Sequence, residues 1–372
     1  MSRKKILYVG SKFGLSGSSS KILDLLKNID LDRYEFGILL RPGKKEHSRI
    51  NEIPKEIERI SFQWNDVFFM RGFIKRFLFT IHMIIEVNKR KPDYFIVGQR
   101  SLITRILSLK FLINKNIKII LTWGNVASWH TKKRPLLRYI YSTILPKANT
   151  IICPSELPAE DLIDSFKIKP EKIKVIYNPI DFEEYKPKTE KDLAINDSII
   201  DSKILLFVGR LVTRKDAQCV IRAFHKTLKY RDDLKLWVVG DGNKRQELER
   251  LAEDLKVSEK VTFWGFKKNT KPFYEKADVF IHSSHMEGFG IVLNEALAFN
   301  VPVVYANGEV GALAAIKKFD IGHSYTPGSV DELSTQIIKA LDTTNYRTDP
   351  EYLKLFDIST YVREFEKLFG DN

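Results

Sequence analysis

The same pattern runs twice along this chain. Short aliphatic runs, each closed by glycine or a polar turn, alternate with stretches whose apolar residues recur at helical spacing. In the first half the strand-like runs are Lys5 to Val9, Phe36 to Leu40, Tyr94 to Val97, Ile117 to Leu121, Thr150 to Cys153 and Lys174 to Tyr177. A second series follows at Ile204 to Val208, Leu236 to Val239, Val261 to Phe263, Val279 to His282 and Val301 to Tyr305. Such alternation specifies parallel sheets with helices on both faces. Asn178, Pro179, Asp181, Pro187 and the polar stretch to Ser202 read as a linker. The 372 residues therefore suit two doubly wound α/β domains, 1–182 and 183–350, facing each other across a cleft. Ligands of such sheets bind outside the carboxyl ends of the strands, which makes the cleft the expected site. The tail from Glu351 to Phe369 reads as one helix, and residues 351–372 are expected to pack back on the first domain.

Charge divides the chain as well. Residues 1–185 hold 33 basic and 19 acidic side chains, while the remainder holds 28 of each, so the whole excess of +14 lies in the first half. No acidic residue occurs between Asp93 and Glu156, a span that contains ten lysines and arginines. One-sided charge of this kind suits an anionic partner such as a lipid surface or a polyanionic substrate; charge kept for solubility is the plain alternative. Two cysteines, Cys153 and Cys219, cannot build a disulfide framework. No apolar run reaches the roughly 18 residues of a membrane span, and MSRKKILYVG lacks a signal-peptide core. A cytoplasmic location is expected.

The strongest constellation is His282-Ser283-Ser284-His285-Met286-Glu287-Gly288-Phe289-Gly290, which runs into Ile291–Ala296. A strand ends, two glycines free the backbone, and a helix begins with its amides available to an anion. Glu287 precedes the turn. Glu295 lies about two helical turns on, where a carboxylate can accept from sugar hydroxyls or simply face water. A second strand closes at Gly209-Arg210, with Lys215 five residues later. An arginine fork and a lysine point charge suit a diphosphate. Gly240-Asp241-Gly242 and Trp264-Gly265-Phe266 close two further strands, either as tight turns or as a backbone wall of a nucleotide site. In the first half, Gly10, Gly14 and Gly17 follow the first strand, but their spacing is not the dinucleotide fingerprint, which counts against a dehydrogenase.

Together these blocks resemble the C-terminal domain of the retaining glycosyltransferases of family 4, whose GT-B fold is a pair of facing Rossmann-like domains. Asn178-Pro179-Ile180-Asp181 is similar to that family's hinge segment, and Val301-Pro302-Val303-Val304 to its Pro-Val strand. The motif-bearing match runs over roughly residues 174–310. The resemblance implies an acceptor-binding first domain and a second domain for the nucleotide sugar. Arg210 and Lys215 would hold the diphosphate. Glu287 and the amides of Gly288, Phe289 and Gly290 would meet the transferred sugar, and Glu295 the ribose. Gly209, Gly240, Gly242, Gly265 and Phe266 would line the donor site, with Gly14 and Gly17 in a loop near the phosphates. UDP is the nucleotide it favours, without cofactor or metal. Two departures stand out. The family often has histidine where this chain has Trp123, leaving His130 as the nearest candidate, catalytic or merely exposed. Asp216 replaces the usual glycine after the phosphate lysine.

Residues 62–91 bear on the acceptor. Phe62, Trp64, Phe68, Phe69, Phe73, Phe77 and Phe79 lead into an apolar helix with basic flanks. Phe73, Phe77, Ile81, Ile84 and Ile85 are expected on one side of it, facing a membrane interface or packed on the sheet. Peripheral docking on the inner membrane face, with a lipid-linked or cell-envelope glycan as acceptor, is the reading these features favour. A sugar-nucleotide epimerase on the same scaffold is the near alternative. A nucleic-acid-binding protein is the distant one, with no recognition motif to support it.

Overall fold

A computed structural model of the protein describes residues 3–10, 17–40, 49–61, 72–180 and 202–370. Gly14, the linker from Asp181 to 201, the aromatics Phe62, Trp64, Phe68 and Phe69, and the side chain of Phe73 lie outside them. The chain divides into two compact units, Met1–Pro179 with Ile358–Asn372, and Ile180–Asp357.

Among the described residues, the first unit carries seven parallel strands: β1 (Lys4–Val9), β2 (Tyr34–Leu40), β3 (Glu58–Ser61), β4 (Tyr94–Val97), β5 (Lys118–Thr122), β6 (Thr150–Cys153) and β7 (Ile173–Val175), in the order β3-β2-β1-β4-β5-β6-β7. Alternate residues serve opposite faces of the sheet. Leu7, Val9, Phe95, Val97, Ile119 and Leu121 join one apolar layer, and Ile6, Tyr8, Ile96, Ile120 and Ile152 join the other. Both faces are covered, so the strands read as continuous apolar runs. β3 (Glu-Arg-Ile-Ser) buries only Ile60 and lies at the edge, and for that reason it carries no strand-like run in the sequence.

The helix Gly72–Arg90 packs Phe79, Met83, Ile84 and Val87 into the first layer. Phe77 and Ile85, expected on the same side as Ile84, are instead exposed. The helix therefore has one stripe in the core and another apolar stripe, with Phe77 and Ile85, on the surface. The tail is two helices rather than one. Pro350–Lys354 belongs to the second unit, and Ile358–Leu368 packs on the first. Tyr361, Val362, Phe365 and Phe369 join the layer of Tyr34, Phe36 and Tyr94. The Phe369 ring lies 5.0 Å from that of Tyr94 and 5.4 Å from that of Tyr34. Each such buried ring contributes about 1.5–3 kcal/mol.

The second unit holds β8 (Lys203–Val208), β9 (Leu234–Val239), β10 (Val261–Gly265), β11 (Val279–His282), β12 (Met286–Glu287), β13 (Val303–Ala306), β14 (Glu309–Val310) and β15 (His323–Tyr325). Six of them form a parallel sheet in the order β10-β9-β8-β11-β13-β15, and β12 pairs with β14. The helices Ala217–Thr227 and Val330–Leu341 pack on its apolar layer, where Thr227 and Ser334 share a buried 3.0 Å hydroxyl contact. Each large sheet reverses its strand order once, between β1 and β4 and between β8 and β11. Those switch points are where doubly wound sheets leave a crevice.

Candidate functional site

At the β8/β11 switch point the turn Thr213–Lys215 is clamped to the segment that follows β11. Ser283 Oγ donates to the Lys215 carbonyl at 2.7 Å and Ser284 Oγ to the Arg214 carbonyl at 3.3 Å. The Arg214 guanidinium reaches back to the Met286 carbonyl at 3.2 Å. These bonds bring the Lys215 ammonium against the Glu287 carboxylate, with the two side chains only 11% and 12% exposed. Burial first, then Arg214 and Arg210, push the Lys215 ammonium down to about 7. The carboxylate beside it acts in the opposite sense. Arg210 is exposed and makes itself felt here through its charge.

Beneath the pair lies His282, the last residue of β11. Its Nε2 is 3.6 Å from Glu287 Oε1, too far for a hydrogen bond, and neither ring nitrogen has a hydrogen-bond partner. Burial, then Lys215, holds its pKa well below the usual histidine range, so the ring is neutral. A fully buried imidazole with no partner costs roughly 1–3 kcal/mol per orphaned group. Gly290 has φ 92°, and a Cβ there would meet Val310 at 2.8 Å and approach both Glu287 and His282 within 3.8 Å. Glycine at this position thus keeps the space beside the carboxylate open. The helix Ile291–Ala298 starts at Gly290, and Phe289 is anchored beneath the turn against Phe356.

Asp216 occupies the left-handed position (φ 47°) where the family pattern has glycine. Aspartate tolerates that conformation better than most residues. Its side chain also accepts from the Cys219 amide, at 3.4 Å, and contacts His285 Nε2 at 2.8 Å. The departure preserves the turn and adds a cap. Asp216→Gly is expected to cost no more than about 1 kcal/mol. Asp216→Val, a branched side chain forced to the same φ, should cost about 1–3 kcal/mol. Urea unfolding of the two variants ranks them.

A second cluster joins the ends of β8, β9 and β10. The Gly209 amide donates to the Val239 carbonyl at 2.9 Å, the Gly240 amide to Gly265 at 2.8 Å, and the Leu211 amide to Asp241 at 2.9 Å. A Cβ on Gly240 (φ 138°) would sit 1.9 Å from the Gly209 carbonyl oxygen, and one on Gly242 would sit 2.3 Å from that of Leu211. Packing alone therefore requires glycine at positions 240 and 242. Gly265 is also left-handed (φ 69°), and Phe266 beyond it is exposed.

Glu295 accepts from the Tyr274 hydroxyl at 2.8 Å, and the Tyr274 ring stacks on Phe299. The carboxylate is thereby held in one orientation, half-buried. His130 lies in the first unit, exposed on the short helix Ala127–Thr131. Burial, then Arg100 and Arg134, lowers its pKa, which leaves it neutral near pH 7. Gly17 opens the helix Gly17–Asn28. Sequence reasoning gave no role to His282, Ser283, Ser284 or Tyr274. The two serines immediately after a strand were the only visible signal.

The model of the glycosyl transferases group 1 matches residues 188–352, and that of glycosyltransferase family 4 matches residues 22–184. The N-acetylgalactosamine-N,N'-diacetylbacillosaminyl-diphospho-undecaprenol 4-alpha-N-acetylgalactosaminyltransferase of Campylobacter jejuni is 36% identical over 175 residues, 47% of this chain and 46% of that protein. The alpha-monoglucosyldiacylglycerol synthase of Streptococcus pneumoniae is 34% identical over 236 residues, 60% of this chain and 52% of its own. The chain spans about half the length of the curated relatives it matches. HepE of Anabaena, solved with UDP and glucose, superposes with a TM-score of 0.78 at 18% identity, covering 100% of both chains. With the two family models accounting for nearly all of the sequence between residues 22 and 352, the chain belongs to the family 4 glycosyltransferases and has the GT-B fold.

Proposed function

We propose that the chain moves a sugar from a nucleoside diphosphate sugar, with UDP favoured, to a lipid-linked or cell-envelope glycan acceptor, with retention at the anomeric carbon and without a metal. The observation that carries this reading is the Lys215–Glu287 pair at the β8/β11 switch point, with Arg210 and Arg214 acting on it. Three cations against one buried carboxylate favour an incoming diphosphate. The diphosphate competes with Glu287 for Lys215, and the carboxylate so released meets the sugar. As the bond from the anomeric carbon to phosphate breaks, Lys215 and Arg210 stabilise the charge that develops on the leaving diphosphate. The acceptor oxygen bonds to the same face, and its proton passes to the leaving phosphate oxygen. Glu295, oriented by Tyr274, receives the ribose hydroxyls.

Two relatives bear lipid names, one a diphospho-undecaprenol and one a diacylglycerol, which supports a lipid-linked acceptor. Phe77, Ile85, Phe111, Leu136 and Tyr139 are exposed apolar side chains on the first unit. Phe111, Leu136 and Tyr139 lie within the acid-free basic stretch. Apolar side chains among cations suit peripheral docking on an anionic membrane. Among the described residues no helix is long and apolar enough to cross one.

The reading is tested by thermal shift with UDP, GDP, ADP, CMP and NAD, with and without magnesium. A ligand stabilises by RT ln(1 + [L]/Kd), so the panel ranks the nucleotides. A magnesium-independent shift with one nucleoside diphosphate is expected. Glu295→Ala should weaken that nucleotide by about tenfold or more, the scale of lost charge-assisted hydrogen bonds. No shift with any diphosphate, or the full shift in Glu295→Ala, overturns the donor-site assignment.

A further inference from the structure

The first unit has its own cavity, of about 260 Å³, at its own switch point. Tyr8 of β1 and Gly98, just past β4, form part of its wall, and Tyr361 and Phe365 of the last helix close one side. Lys21 enters from the helix Gly17–Asn28, and Arg100 lines the same space. No aspartate or glutamate is among the lining residues. The Lys21 ammonium makes no ion pair or hydrogen bond among the described residues, and burial pushes it down to about 8, with Asp24 opposing. One deeply buried polar side chain also faces this cavity. Asn178 is only 4% exposed and makes no side-chain hydrogen bond among the described residues. An unpaired amide and a desolvated cation are costly unless something negative meets them. The volume falls below the roughly 300 Å³ at which drug-sized sites begin, so it suits a compact group.

We infer that this cavity is a phosphate subsite of the first unit, in which Lys21 supplies the counter-charge and the Asn178 amide donates a hydrogen bond. On the transferase reading, on which this identification of the source rests, the phosphate belongs to the acceptor. Tyr8 and Tyr361 stay neutral, because burial raises both phenols far above their ordinary range. A bound phosphate therefore meets no competing negative charge from the lining residues.

Titration calorimetry of the full chain, saturated with UDP, against glucose 6-phosphate and against geranyl diphosphate tests this. The first probe represents a sugar phosphate and the second a polyprenyl diphosphate. Saturable binding of at least one is expected, weakened at least tenfold by Lys21→Met and restored by Lys21→Arg. Asn178→Ala, which leaves the cation in place, should weaken it severalfold and serves as the second variant if Lys21→Met does not fold. The tighter probe identifies the source. Absence of binding by either probe, or equal affinity in wild type, Lys21→Met and Asn178→Ala, overturns the subsite. UDP titrations on the same samples separate the two readings: UDP binding should be the same in all four proteins, and its loss in wild type condemns the donor site while leaving the Lys21 comparison intact.

Discussion

Lys215→Met is expected to slow sugar transfer by about 10²–10³-fold or more, the scale of removing one preorganised donor from a developing anion. It should also destabilise the second unit by about 3–5 kcal/mol, because a carboxylate left buried without its cation is strongly unfavourable. His282 does not take the place of the ammonium. It is neutral, and its Nε2 is 3.6 Å from Glu287 Oε1. Glu287→Gln removes the other charge and should likewise depress the rate. The double variant Lys215→Met/Glu287→Gln separates the two effects: stability should return most of the way to wild type while transfer stays lost. Urea unfolding and single-turnover transfer on the three proteins measure both. A near-wild-type rate in either single variant would falsify the placement of this pair in the active site.

Gly240→Ala should be among the most damaging single-methyl changes in the chain. The new Cβ would sit 1.9 Å from the Gly209 carbonyl oxygen, at a φ of 138° that side chains rarely adopt. Both strain and clash fall on backbone that is hydrogen-bonded on either side, so relief requires the ends of β8 and β9 to part. A loss of about 3 kcal/mol or more is expected, with weakened nucleotide binding in whatever fraction folds. Gly209→Ala is the internal control. There the nearest heavy atom is 3.5 Å away, and the cost should stay below about 1 kcal/mol. Comparable stability of the two variants would show that the three strand ends are not laced as described.

The core strands were legible in the sequence because two-sided burial leaves unbroken apolar runs. Tyr94–Val97 and Val279–His282 match their predicted bounds, and each is buried at all four positions. The edges were not legible. Glu58–Ser61 and His323–Tyr325 each bury a single side chain, so no run marks them. The helix Gly72–Arg90 was found, but about the wrong stripe. Apolar residues ring it so fully that spacing alone cannot choose the buried side, and the sheet chose Phe79, Met83 and Val87. In the site, Lys215 and Glu287 were each visible within a motif. Their contact across 72 residues follows only from β8 and β11 being neighbours. His282 stayed hidden because a histidine at the end of an apolar strand looks like any core residue, and its lack of partners is a three-dimensional fact.

The return of the last helix to the first unit has a consequence for how the protein is made. Translation delivers the first unit's sheet early, yet Tyr361, Phe365 and Phe369, which cover its second layer, are made only after the whole second unit. The second unit, ending at Asp357, has its full sequence before the first unit does. The usual order, in which the N-terminal domain finishes first, is reversed at the level of completion. Until that helix emerges, Tyr34, Phe36 and Tyr94 lack their aromatic cover, and the nascent chain carries an apolar face that chaperones can hold. A stop codon after Asp357 would make that transient state permanent, wounding the half of the protein farthest from it in sequence.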